Sequence, residues 1–335
     1  MNDAALRHIL RSVIAVSMPV ATAACGGNLE ESDTRAGDPA PATRAVPVCS
    51  SASLPADTKC AVSLQLPCSI DRDAFSVESG VCERFCPAKG DALSYCTVAR
   101  DPSAEPYLSC LYCASGRRPE GLVAVATPGG APLGVHFAGM AHLEASSVLA
   151  FMSLRAELVS FAAPHELVDR AARAAHDEIR HARATADLAR RFGAEPGPWS
   201  ATPTASRRAD RSLEEIATEN AVEGCVRETY GALVAQWQAR QATDASIRYA
   251  MRLIARDEAR HAALAWSVDE WIRPLLDAAG RARVQAAFER AIVELRAELG
   301  ADPDPAIAAL GLPSAEAARH LLDVLAESLR PLCAA

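Results

Sequence analysis

Asp177-Glu178-Ile179-Arg180-His181 recurs eighty residues later as Asp257-Glu258-Ala259-Arg260-His261. Both copies lie in long, Ala- and Arg-rich segments with helical periodicity. Each sets a carboxylate and an imidazole three residues apart, so that both project from one face of a helix. Two such helices facing each other bring two Glu and two His to a common interior. Which helices surround them, and what else those helices carry, decides the fold.

The flanking pattern predicts four long helices. The first runs from Val135 to Phe161 and is broken by Ala162-Ala163-Pro164, with Pro164 placed to open the second. The second reaches about Phe192 and stops at Gly193. Glu195 to Asp210, with Pro196, Pro198 and Pro203, reads as a loop. Ser212 and Glu215 form a capping box for the third helix, which extends to about Gln241. Thr243 or Asp244 caps the fourth, which ends at Pro274. Pro274–Gly300 and Ser314–Arg330 can each form one more helix. A loop of about 18 residues reaches up to ~60 Å, longer than a ~40 Å helix. It can therefore cross the whole length of the helices. Two tight hairpins joined by one long crossover make an all-α, ferritin-like four-helix bundle.

Such a bundle builds a two-metal site from one Glu on each of two helices and Glu-x-x-His on each of the other two. The turns near Ala163 and Thr243 fix the heights. Glu144 stands 19 residues before its turn and Glu223 stands 20 before its own; each Glu-x-x-His pair stands 15 and 18 after. Glu144, Glu178, His181, Glu223, Glu258 and His261 thus fall in one layer. Glu219, one turn before Glu223 on the same face, competes for that place. Glu228 lies about 140° round from Glu223 in a regular helix and reads as surface or supporting. Four buried carboxylates facing each other are costly unless they are neutralised; two divalent ions do that. Oxygen and imidazole ligands suit iron or manganese. Asp177 and Asp257 are placed to accept the free N–H of the histidine on the opposite helix. Tyr230, on the inner face two turns beyond Glu223, can support the site or fill the core. His142 and His176 sit two positions before a ligand glutamate, on the far side, and read as structural or exposed.

At these residues the chain resembles the ferritin-like di-iron carboxylate superfamily. More narrowly, Glu144 to Phe151, the two Asp-Glu-x-Arg-His copies and Glu223 to Thr229 resemble ferritin-like domain lipoproteins of delta-proteobacteria, the myxobacteria among them. The resemblance covers Val135 to about Pro274 (135–274) and implies the same six ligands, with two iron ions, or manganese or a mixed pair. It implies O2, peroxide or Fe(II) as small reactants.

The remainder of the chain bears on compartment. Arg7, His8 and Arg11 precede an apolar run from Val13 to Ala24, too short to span a bilayer and suited to a signal peptide. Thr22-Ala23-Ala24-Cys25 resembles a bacterial lipobox, with Thr22 where Leu is usual; cleavage after an A-x-A-like site is the alternative to lipidation of Cys25. Segment 26–48 reads as a flexible tether. Cys49, Cys60, Cys68, Cys82, Cys86, Cys96, Cys110 and Cys113 crowd segment 49–118. In an exported chain that pattern predicts a disulfide-stapled module. A single C-x-x-C, Cys110 to Cys113, argues against a metal ribbon, for which two are wanted. Cys225 and Cys333 are left over as thiols. Segment 275–335 extends the bundle. A net charge of −8 with no basic block argues against nucleic-acid binding.

The sequence thus points to a cell-envelope protein, lipid-anchored through Cys25, with a two-metal oxidoreductase centre for ferrous iron oxidation or peroxide reduction. Two other readings stand beside it. One is a surface binding lipoprotein whose Cys-rich module carries the function. The other is an oxygenase acting on an organic substrate.

Overall fold

The computed structural model describes residues 61–65, Cys86, 95–99, 107–111, Arg117, 125–197, 211–299 and 302–333. The expected export signal, Cys25, the expected tether and most of the expected crossover loop lie outside the described residues.

The described chain is mostly helical. Helix α1 (Pro132–Ser160) and α2 (His165–Arg191) form the first hairpin. Pro132 sits in the first turn of α1, three residues ahead of the expected start, where its missing N–H costs nothing. The α1–α2 turn uses Ala162 at φ 51°. Pro164 precedes α2 as its cap rather than serving as its first residue. At the far end of the hairpin, a Cβ on Gly134 would come 2.6 Å from the Phe192 carbonyl oxygen, so only glycine lets the start of α1 lie this close to the end of α2.

The second hairpin departs from a regular helix. Short α3 (Leu213–Glu219) opens with the Ser212/Glu215 capping box. It passes into a π-helical stretch, Asn220–Glu228, before α4 (Thr229–Gln241) resumes. Asp244 caps α5 (Ala245–Ile272), accepting from the backbone N–H groups of Ser246 and Ile247. Two more helices pack outside: α6 (Ala278–Glu298), capped by Asp277, and α7 (Ala315–Cys333).

The cores bracket the middle of the hairpins. At one end Phe137, Leu188, Ile247, Met251 and Ile254 pack together. At the other end Phe151, Leu154, Leu158, Leu167, Leu264 and Val268 do so. Glu144, Glu178, His181, Glu258 and His261 fall between them along the helices. A third core joins the π stretch and α4 to α6 and α7 through Tyr230, Leu233, Phe288, Leu321 and Leu322.

The Cys-rich segment adds what a purely helical reading leaves out. Strands β1 (Ala61–Gln65), β2 (Tyr95–Ala99), β3 (Tyr107–Leu111) and β4 (Val125–Gly130) form one sheet in the order β1-β3-β2-β4. β3 pairs antiparallel with β1 and with β2, and β4 adds parallel to β2. β4 leads through Ala131 straight into α1, which also contacts the sheet. Cys86 and Cys110 are disulfide-bonded, which sets Cys110 of the C-x-x-C in a bridge. The side chains of the other six cysteines of the segment lie outside the described residues. Helix α1 is long and apolar enough to cross a membrane by length and composition, yet 56% of its most apolar window is buried in the protein. Covered by α2 on one side and the sheet on another, it needs no polar stripe.

Candidate metal centre

Five of the six expected ligands meet. Glu144 on α1, Glu178 and His181 on α2, and Glu258 on α5 place one ligand atom each within 4.8 Å of one another. Glu258 and His261 do the same with Glu228. The two groups adjoin: the imidazole centroids are 5.8 Å apart. Glu178 reaches into both, with Oε2 3.6 Å from His181 Nδ1 and Oε1 3.1 Å from His261 Nδ1. Glu258 Oε1 lies 3.3 Å from the first imidazole and 3.6 Å from the second. Glu144 Oε2 is 3.7 Å from His181 Nδ1, and Glu228 Oε2 is 3.8 Å from His261 Nδ1. Each half therefore has its own Glu and His, and Glu178 and Glu258 lie between the halves.

Glu223, the sixth expected ligand, belongs to neither group. Its carboxylate faces Arg227, 3.8 Å from Nε, and Glu228 stands in its place. The cause is the π-helical stretch. Backbone bonding from i to i+5 widens the turn and shifts the phase of the residues along it, so a count at 100° per residue fails there. The height of Glu228 was legible: it stands fifteen residues before Thr243, and Glu258 fifteen after. Only its direction was not. The alternative Glu219 is drawn to Arg211 at 2.7 Å. Tyr230 lies just beyond the stretch, in α4. Its hydroxyl donates to the Ala318 carbonyl of α7 at 3.3 Å, so it supports the outer core and not the site. His142 is buried outside both groups, and His176 is exposed.

The aspartates cross over between helices. His181 Nε2 lies 3.4 Å from Asp257 Oδ2, and His261 Nε2 lies 3.4 Å from Asp177 Oδ2. A carboxylate there accepts from Nε2–H and orients the ring so that Nδ1 faces the glutamates. The motif's arginines complete the frame, a role the sequence signals only as two Asp-x-x-Arg spacings. Arg180 bridges Asp177 and Asp257, the latter at 3.0 Å. Arg260 bridges the same pair at 2.9 and 2.8 Å. Burial pushes the Asp177 carboxyl up, but His261 and Arg180 outweigh it and hold it down at about 2. Asp257 is likewise held below the usual carboxylate range, against burial, by His181 and Arg260.

Inside the frame, charge is unresolved. Burial and the neighbouring Glu178 hold Glu144 well above its ordinary value. Burial and Glu258 do the same to Glu228. Burial disfavours charge on the imidazoles too, yet the surrounding carboxylates raise both. Hydrogen bonding is incomplete as well. Glu178 Oε2, both Glu228 oxygens and both Nδ1 atoms are buried without a hydrogen-bond partner, since the close contacts above are poorly aligned for one. Such orphaned atoms are costly in an apolar interior. These oxygen and imidazole atoms, gathered in two adjoining groups, suit a divalent cation with carboxylate and histidine ligands. Glu144, with 15% of its side chain accessible, is the least covered member. Glu228 and His261 are 1% exposed, and the Phe151 ring packs on His261 with the centroids 4.9 Å apart.

Comparison with family models, curated proteins and solved structures gives no match.

Proposed function

We propose that this protein is a ferritin-like di-metal oxidoreductase of the cell envelope, with iron as its resident metal. In this reading α1, α2, the α3–π–α4 run and α5 form the four-helix bundle. Glu144, Glu178, His181, Glu228, Glu258 and His261 hold the ions. A redox-active pair in such a site supplies two electrons to O2 or peroxide.

The observation that carries the reading is the convergence of orphaned, buried Nδ1 and carboxylate oxygen atoms on two adjoining points. Glu178 and Glu258, each close to both imidazoles, would help hold the metal on either side. Asp177 and Asp257 accept from the Nε2–H groups, so each imidazole would serve as a neutral ligand through Nδ1. The apolar layers on either side exclude water along the helix axis. Glu144, the least covered ligand, marks the side from which Fe(II), O2 or peroxide arrives. The signal-like N-terminus and Cys25 support a location outside the cytoplasm, where no nicotinamide-fed reductase is at hand. That favours Fe(II) oxidation or peroxide reduction over repeated hydroxylation of an organic substrate.

Metal analysis of the purified protein tests the reading directly. About two iron or manganese ions per chain are expected, with loss of one ion in each of His181→Ala and His261→Ala. Anaerobic Fe(II) loading followed by O2 or peroxide should show consumption of the oxidant. No bound metal, or unchanged metal content in both variants, would overturn the proposal. Two ions with no turnover of either oxidant would instead leave a metal-stabilised bundle carrying a binding module.

A further inference from the structure

Arg117 is a buried cation that the metal ligands do not use. It is contributed from outside the helical hairpins, between β3 and β4, and is 2% exposed. Its backbone carbonyl accepts from Ser147 Oγ of α1 at 2.8 Å, which ties this point of the chain to the bundle. Its guanidinium then reaches the π-helical stretch. Nη1 donates to Asn220 Oδ1 at 3.3 Å, and Nη2 is 3.7 Å from Glu219 Oε1. The ring of Phe151 lies beneath it, 5.8 Å from Cζ, and the same ring packs on His261. Arg117 Nε is buried without a hydrogen-bond partner.

The fit is tight and specific to this place. Gly224, inside the π stretch, faces this junction. A Cβ there would stand 3.2 Å from Arg117 Nη1, 2.9 Å from Asn220 Oδ1 and 2.7 Å from the Cβ of Ala265. Asn220, held by the guanidinium on its oxygen, donates from Nδ2 to the Ala265 carbonyl of α5 at 2.9 Å. Arg117 thus pins the π stretch to α5 through one side chain. The stretch ends in Glu228, and the α5 segment carries His261. A guanidinium costs several kcal/mol to bury, which a merely space-filling role would not require.

We propose that Arg117 is a positioning residue for the Glu228/His261 half of the metal centre. The sheet segment is thereby part of the centre rather than an appendage to it. The inference rests on the two-ion reading above. The Glu144/His181 half, on the other side of Glu178 and Glu258, has no contact with Arg117 among those described.

Co(II) titration of the full chain, followed by visible absorbance, tests it in two backgrounds. His181→Ala isolates the Glu228/His261 half, and His261→Ala isolates the other. Arg117→Met is expected to weaken Co(II) by about 10–100-fold in the first background, the range for loss of a supporting contact, and to leave the second unchanged. Arg117→Lys keeps the charge but loses the fork, and should recover part of the loss. Equal affinities of Arg117→Met and its parent in the His181→Ala background would overturn the proposal, as would equal losses in both. If Arg117→Met does not fold by circular dichroism, Arg117→Lys decides in the same backgrounds: unchanged affinity there overturns it. A wild-type chain that binds no Co(II) refutes the metal reading itself. Two ions in the wild type with no effect of Arg117 refute only this inference.

Discussion

Asp177→Asn isolates the crossed wiring of the site. Asp177 is on α2, four residues before His181, yet its Oδ2 lies 3.4 Å from Nε2 of His261 on α5. The same oxygen accepts from Arg260 at 2.9 Å, and the other carboxylate oxygen faces Arg180. Asparagine keeps the shape but removes the charge, and its amide can accept through one atom only. Either the His261 N–H or an arginine then loses its acceptor. Loss of a carboxylate that supports a ligating histidine costs about 10–100-fold in metal affinity, or roughly 1.4–2.7 kcal/mol. The loss should fall on the ion held by His261, not on the ion held by the nearer residue in sequence. A double-mutant cycle separates the two. Asp177→Asn should be coupled to His261→Ala and additive with His181→Ala in Co(II) affinity. The mirror variant, Asp257→Asn, should give the opposite pattern through His181, 3.4 Å away. Coupling of Asp177→Asn to His181→Ala, or no coupling to either histidine, would refute the crossed arrangement.

Glu228→Gln should cost one of the two ions, whereas Glu223→Gln should keep both; metal content after dialysis distinguishes them, and the reverse outcome would restore Glu223 as ligand. Metal uptake should release protons and tighten as pH rises. The metal-free centre holds protons on its raised imidazoles and on Glu144 and Glu228, as a pH-stat titration would show. The sign for stability follows from the same directions. The raised histidines stabilise the metal-free fold below about pH 6.5, their unfolded value, and lose that contribution as pH climbs through their folded values. Asp177, depressed to about 2, stabilises it above about pH 3.9 and loses that contribution as pH falls toward 2. Thermal melts of chelated protein across pH should therefore fall off on both sides. Gly224→Ala should destabilise by about 1–3 kcal/mol in urea, because its Cβ would meet Ala265 at 2.7 Å inside a packed interior.

The repeated Asp-Glu-x-Arg-His stretch, read alone, determined a good deal. Spacing of three residues fixes Glu and His on one face of a helix whatever that helix packs against. The capping signals at Ser212 and Asp244 and the breaks at Pro164 and Gly193 act within a turn or two of chain, so the hairpins were legible too. Asp177 and Asp257 were assignable because equal offsets from two turns imply facing neighbours. Three things were decided only by tertiary structure. Glu228, and not Glu223, joins the Glu258/His261 group; its direction follows the π-helical stretch, whose first residue, Asn220, meets α5 and Arg117, partners from distant parts of the chain. Arg180 and Arg260 look like solvated surface until the two helices meet and four charges close into one frame. Arg117 stands at no recognisable spacing from any ligand. Periodicity reports the face of a regular helix. Where the helix is irregular, or the partner comes from a distant part of the chain, packing alone sets the direction of a side chain.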